Sequence, residues 1–167
     1  CGSTHPGEEE ILIDSFIDLN KDNKHLVLAP RHPERFGEIK ELVNKKNLSN
    51  ILYTEISSNP DIKSDVTIVD VIGRLLEFYE IADCVFIGGT LVDHRGQNFL
   101  EPAFFNKPII SGRSTYNFDE ISKKLSDLGL LKLVSNKDEI SSAVESIEAI
   151  SDSLKKDTNL WLNENRG

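Results

Sequence analysis

Apolar positions in this chain fall into short runs separated by stretches of helical spacing. Ile11, Leu12, Phe16 and Leu19 share roughly one face of a helix over 8–20. Leu26-Val27-Leu28-Ala29 reads as a short buried strand, and Phe36, Ile39, Leu42 and Val43 mark a second helix over 34–47. Ile51–Thr54 is strand-like, a polar loop runs from Ser57 to Asp65, and strand Val66–Val69, helix Gly73–Ile81 and strand Cys84–Ile87 follow. Asn98 is placed to cap a short helix Phe99–Asn106, and Pro108–Ser111 is the next strand. Helix Phe118–Leu128 closes at Gly129, Leu131–Val134 is the last strand, and helix 138–150 follows Ser135 with Ile140, Val144 and Ile147 inward. A final amphipathic stretch carries Leu154, Leu160 and Trp161.

Short strands alternating with helices spell βαβ units. They predict an α/β fold: a doubly wound, Rossmann-like parallel sheet with helices on both faces. The 167 residues contain no internal repeat, low-complexity tract or interior linker, so 1–167 reads as a single domain.

Composition narrows the function. A net charge of −9 argues against a broad nucleic-acid surface, which needs clustered Lys and Arg. It leaves room for a local anion site built from backbone N–H groups. The two cysteines, Cys1 and Cys84, make no disulfide framework, and no Cys/His spacing suits zinc; Cys84 reads as a core thiol. A reducing, cytoplasmic setting fits. No run approaches the roughly 18 apolar residues that span a bilayer. The chain lacks Met altogether and reads as a segment of a longer protein, so an anchor elsewhere in the parent is compatible.

In such a sheet, ligands bind beyond the carboxyl ends of the strands, near the topological switch point. Four loops there carry unusual residues. Gly2-Ser3-Thr4-His5-Pro6-Gly7 precedes the first helix and suits either an anion or an ordinary helix start. In Pro30-Arg31-His32-Pro33, two prolines stiffen the backbone; Arg31 can grip a phosphate, or the segment is a stiff turn with solvated charges. Ile72-Gly73 opens the third helix, where exposed backbone groups can read a base edge. The fourth region is the most unusual. Ile87-Gly88-Gly89-Thr90 ends a buried strand, and Gly96-Gln97-Asn98 leads into Phe99-Leu100-Glu101-Pro102. A capping-box variant accounts for Asn98 and Glu101. The functional reading, favoured here because two signals coincide at a strand end, has Thr90 and Asn98 at a phosphate or sugar carboxylate and Glu101 on ribose hydroxyls.

In this order the four loops resemble the C-terminal domain of the bacterial Kdo (3-deoxy-D-manno-octulosonic acid) transferases. The matching strings are Gly-Ser-Thr-His-Pro-Gly-Glu-Glu (2–9), Leu-Ala-Pro-Arg-His-Pro-Glu-Arg-Phe (28–36), Gly-Arg-Leu-Leu-Glu-Phe-Tyr-Glu-Ile-Ala-Asp (73–83), Phe-Ile-Gly-Gly-Thr-Leu-Val (86–92), Asn-Phe-Leu-Glu-Pro-Ala (98–103) and Asn-Phe-Asp-Glu-Ile (117–121). The resemblance implies the C-terminal half of a GT-B glycosyltransferase. It implies CMP-Kdo as donor and a lipid A precursor as acceptor, reached through an N-terminal domain of the same protein. That domain supplies the general base, so none of the residues here is expected to be catalytic and the domain alone is expected to be inactive. It further implies no cofactor and no metal, and a parent enzyme at the cytoplasmic face of the inner membrane. Donor-facing positions by resemblance are Gly2, Ser3, Arg31, His32, Pro33, Ile72, Gly73, Gly89, Thr90, Asn98 and Glu101. Arg31 is placed near the CMP phosphate, Ile72-Gly73 near cytosine and Glu101 on ribose.

The chain departs from the family in three places. Asp70-Val71-Ile72-Gly73-Arg74 stands for Asp-Thr-x-Gly-Glu, Arg95-Gly96-Gln97-Asn98 for Gly-Gly-His-Asn, and Ser111-Gly112-Arg113 for a usual Gly-Pro; Arg113 reads as solvated. Another GT-B enzyme using a UDP- or GDP-sugar, a sugar-nucleotide epimerase, or a domain that only binds nucleotide are the alternatives. Residues 151–167 are expected either to pack on the N-terminal domain or to cover this domain's own sheet.

Overall fold

The computed structural model describes residues 1–19, 24–59, 61–92, 94, 96–116, 118–147 and 152–164. Arg95 and Asn117, and the side chain of Leu154, lie outside the described residues.

Seven strands form one parallel sheet: β1 (Gly2–Thr4), β2 (Leu26–Pro30), β3 (Asn50–Leu52), β4 (Val66–Ile68), β5 (Val85–Ile87), β6 (Ile109–Ser111) and β7 (Leu131–Leu133). Their order is β3-β4-β2-β1-β5-β6-β7. The helices are α1 (Glu8–Asp18), α2 (Phe36–Lys45), α3 (Leu75–Ile81), α4 (Leu100–Phe104), α5 (Asp119–Asp127), α6 (Lys137–Ser146) and α7 (Asp152–Glu164).

Side chains alternate across each strand and feed two cores. On one face Leu12, Ile13 and Phe16 of α1, Ile39 and Val43 of α2, and Ile140 and Ala143 of α6 pack on Leu28, Ile68, Phe86 and Ile110. On the other, Tyr79 of α3, Phe99 and Ala103 at α4, Leu125 of α5 and Leu162 of α7 pack on Val85, Ile87, Ile109 and Leu131. The fold is thus the expected Rossmann-like α/β sheet with helices on both faces. Of the final amphipathic stretch, Leu162 is buried and Trp161 packs against the second core, while Leu160 is exposed. These described residues of α7 therefore cover the domain's own sheet.

Several local expectations change. Strand β1 is absent from the apolar pattern, yet it lies at the centre of the sheet between β2 and β5. Tyr53 and Thr54 leave the sheet for a 3-10 turn over Tyr53–Ser58, because the Thr54 N–H and hydroxyl both bond the Asp70 carboxylate. Phe36 is partly exposed rather than inward, and Cys84 sits just before β5, half-buried. Helix α6 starts at Lys137 and is capped by Asn136: its Oδ1 accepts the Glu139 N–H at 2.9 Å, and Glu139 Oε2 accepts the Ser135 N–H. Replacing Asn136 by Ala should cost about 1 kcal/mol of stability, read as a lowered midpoint in urea unfolding. An unchanged midpoint would show that the cap contributes nothing.

Candidate functional site

From β1 the sheet grows outward through β2 on one side, and the chain later returns to add β5 on the other. The switch point therefore lies between β1 and β5, and a crevice opens beyond their carboxyl ends. The residues there are His5, Gly88-Gly89-Thr90 and, after β2, Arg31 and His32.

Backbones approach closely across this junction. Ser3 sits at φ +54°, a left-handed conformation uncommon outside glycine, where the β1 register shifts between Gly2 and Thr4. A Cβ on Gly88 would stand 2.2 Å from the Ser3 carbonyl oxygen. Gly2 is likewise roofed by α3, since its Cβ would fall 2.2 Å from the Tyr79 hydroxyl. Burial, with a smaller contribution from the nearby Glu101 charge, pushes the Tyr79 phenol well above its ordinary pKa.

Two consecutive acids at the start of α1 tie three loops together. Glu8 is 0% exposed, and its carboxylate accepts four backbone N–H groups. His5 and Gly89 donate to Oε2 at 3.0 and 2.7 Å, and Thr90 and Leu91 donate to Oε1 at 2.9 Å each. Glu9 Oε1 accepts the Thr4 hydroxyl and the Arg35 guanidinium, both at 3.0 Å. Arg35 also bonds Glu38. Arg31 lies exposed; its backbone N–H donates to the Thr4 carbonyl at 2.9 Å, and its side chain makes no ion pair with any described residue.

Histidines line the same crevice. The His5 ring stacks on His94 at 4.2 Å and meets His32 edge-on at 6.5 Å. His5 Nε2 is buried with no hydrogen-bond partner among the described residues. Burial first, then the neighbouring His94 and His32 rings, lower the His5 pKa against the opposing pull of Glu8 and Glu9. Among the described residues, no group of three His, Cys, Asp or Glu side chains is placed to share a metal ion.

The structure brings most of the sequence-selected positions together. Gly2, Ser3, Arg31, His32, Pro33, Gly89 and Thr90 surround the β1–β5 junction. Thr90 is buried; its hydroxyl donates to the Ile87 carbonyl at 2.6 Å and accepts the Gly112 N–H at 2.7 Å, so it braces the loop from inside. Asn98 Oδ1 accepts the Leu100 N–H at 2.9 Å, and its amide donates to Glu101 Oε1 at 3.2 Å. That leaves Glu101 Oε2 without a hydrogen bond among the described residues. Ile72 and Gly73 occupy the same rim beyond β4, with Ile72 87% exposed and Gly73 at φ +84°, but no hydrogen bond among the described residues links them to the others. Arg74, beside them, pairs with Glu77. Arg113 is exposed and donates to the Ser135 hydroxyl.

Sequence reasoning passed over Glu8, Glu9, His94 and Tyr79. Glu8 and Glu9 entered only as the end of the Gly-Ser-Thr-His-Pro-Gly-Glu-Glu string, with no role of their own.

A parallel α/β sheet with glycine turns, an arginine and imidazoles at its switch point defines a Rossmann-type α/β domain. No protein-family model matches the chain. Over 173 residues it is 37% identical to the 3-deoxy-D-manno-octulosonic acid transferase of Haemophilus influenzae, an alignment covering 100% of this chain and 40% of the relative. Over 167 residues it is 37% identical to a bifunctional glycosyltransferase/methyltransferase of Fusobacterium nucleatum, covering 99% of this chain and 26% of the relative. The crystal structure of the C-terminal CMP-Kdo binding domain of WaaA from Acinetobacter baumannii superposes with a TM-score of 0.81 at 26% identity, covering 95% of this chain and 83% of that one. The chain belongs to the family of the Kdo transferases. It spans less than half the length of these two curated relatives.

Proposed function

We propose that this domain binds CMP-Kdo and serves as the donor half of a two-domain GT-B glycosyltransferase. The observation that carries the reading is the convergence of the Ser3, Arg31, Gly89 and Glu101 segments on one rim at the switch point. Arg31, which pairs with no acid among the described residues, meets the CMP phosphate. Glu101 presents its unshared oxygen to the ribose hydroxyls, and the exposed backbone at Ile72-Gly73 faces cytosine. Gly2, Ser3 and Gly89 let the donor approach the backbone, while His32 and Pro33 shape the Arg31 loop. Thr90 and Asn98 act from behind: one braces the glycine turn and the other orients Glu101.

In the parent enzyme, a hydroxyl of a lipid A precursor attacks the anomeric carbon of Kdo. The new C–O bond forms as the bond to the CMP phosphate oxygen breaks, and the hydroxyl proton passes to a carboxylate of the N-terminal domain. Arg31 offsets the charge that develops on the departing phosphate. This reading needs no metal, and it places the parent at the cytoplasmic face of the inner membrane. No helix among the described residues is long and apolar enough to cross a membrane.

Calorimetric titration with CMP and UMP tests the reading. CMP should bind more tightly, and a clear preference for UMP would transfer the domain to a uridine-nucleotide enzyme.

A further inference from the structure

Glu8 is an unusual carboxylate. It is fully buried, it begins α1, and among the described residues it makes no ion pair; its charge is met by four backbone N–H groups. Three of these belong to the turn after β5 and one to the turn after β1, the strands that flank the switch point. Consecutive N–H groups of a glycine turn converging on one point form an anion-binding concavity. Here the anion is supplied by the chain itself, so the Gly89, Thr90 and Leu91 amides are taken. The turn they form places Gly89 at φ +71° against the His5 and His94 rings, with its Cβ position 3.3 Å from the His5 ring.

We propose that Glu8 is a positioning residue for donor binding: its buried carboxylate locks the Gly89–Leu91 turn to the His5 turn and so fixes the two walls of the donor crevice. The proposal rests on the donor-binding reading above. It explains why an acid stands where a nucleotide site would otherwise be expected to shed negative charge. The donor's anionic groups do not enter this concavity, and the turn reaches them by its shape rather than its amides.

Glutamine is the informative replacement. It keeps the shape of glutamate but offers one acceptor oxygen and one N–H donor group. Each oxygen of Glu8 accepts two N–H groups, so either orientation of the new amide sets donor against donor. Amide hydrogen exchange and CMP calorimetry are measured on the unmodified chain and on Glu8→Gln. The unmodified chain should bind CMP and show slow exchange at Gly89, Thr90 and Leu91. Glu8→Gln should lose that protection and bind CMP roughly tenfold more weakly, the loss of about one charge-assisted hydrogen bond. Protection at Leu28 and Ile68 in the sheet should persist. Asn136→Ala, destabilised at the distant α6 cap, should bind CMP normally, which separates positioning from general loss of stability. Should Glu8→Gln fail to fold, Glu8→Asp, shorter by one methylene, should fold and show a smaller loss of affinity.

Fast exchange at Gly89, Thr90 and Leu91 in the unmodified chain would overturn the proposal without any variant. So would a glutamine variant that binds CMP within twofold of the unmodified chain. An unmodified chain that binds no CMP would overturn the donor reading itself, and this proposal with it.

Discussion

Arg31→Ala should raise the Kd for CMP roughly thirtyfold, a loss of about 2 kcal/mol, with little change in thermal stability. The contrast between two arginines in one segment motivates the prediction. Arg35 is mostly covered and committed to Glu9 and Glu38, so its charge is spent inside the protein. Arg31 stands four residues earlier on an exposed turn, with Pro30 ending β2 and Pro33 following. Its backbone is anchored to Thr4 beside the crevice, yet its guanidinium pairs with no described residue. An exposed, unpaired side chain contributes little to folding, so affinity and stability should separate. Arg31→Lys should recover part of the binding, because it restores the charge but not the planar fork. A change of less than threefold in Arg31→Ala would place the phosphate elsewhere.

Gly88→Ala should destabilise the domain by about 3 kcal/mol or more. For a chain of this size that corresponds to a fall in Tm of roughly 6–12 °C. The added methyl would lie 2.2 Å from the Ser3 oxygen, 2.5 Å from the Ser3 carbonyl carbon and 2.6 Å from the Thr4 Cα. All three are backbone atoms of the central strand, so no side chain can swing aside. Relief would require β1 and β5 to part, and the Gly88 N–H bond to the Gly2 carbonyl would go with them. Gly37→Ala is the control. Its Cβ meets nothing within 4 Å and lies inside helix α2, where alanine is the better residue. Scanning calorimetry that finds the two variants equally stable would refute the close-packing argument.

What could be read from the chain follows from how each element signals itself. The apolar runs at Leu26–Ala29, Val66–Val69 and Cys84–Ile87 announce β2, β4 and β5, because buried parallel strands must be apolar on both faces. Strand β1 gives no such signal. Gly-Ser-Thr is small and polar, and it becomes buried only because Tyr79 roofs Gly2 and Glu9 accepts from the Thr4 hydroxyl. Those partners become visible only once the helices are placed. The rim itself was legible, since topology alone puts the loops after β1, β2, β4 and β5 on one side. The wiring of that rim was not. Glu8 reaches Gly89 across 81 residues of sequence, and no periodicity encodes which acid will fill which turn. Thr90 shows the same limit in reverse: a hydroxyl beside a double glycine suggests a ligand contact, but its partners are Ile87 and Gly112.

Every strand of this sheet runs in the same direction. The two ends of the molecule are therefore unequal in what they can tolerate. At one end, segments leaving the strands stand clear of both helical layers and can be lengthened, shortened or recoloured with charge. At the other, segments entering the strands only return the chain to the next start. A lineage of such domains can thus retool what it binds at one pole while the opposite pole and the hydrophobic interior are inherited intact.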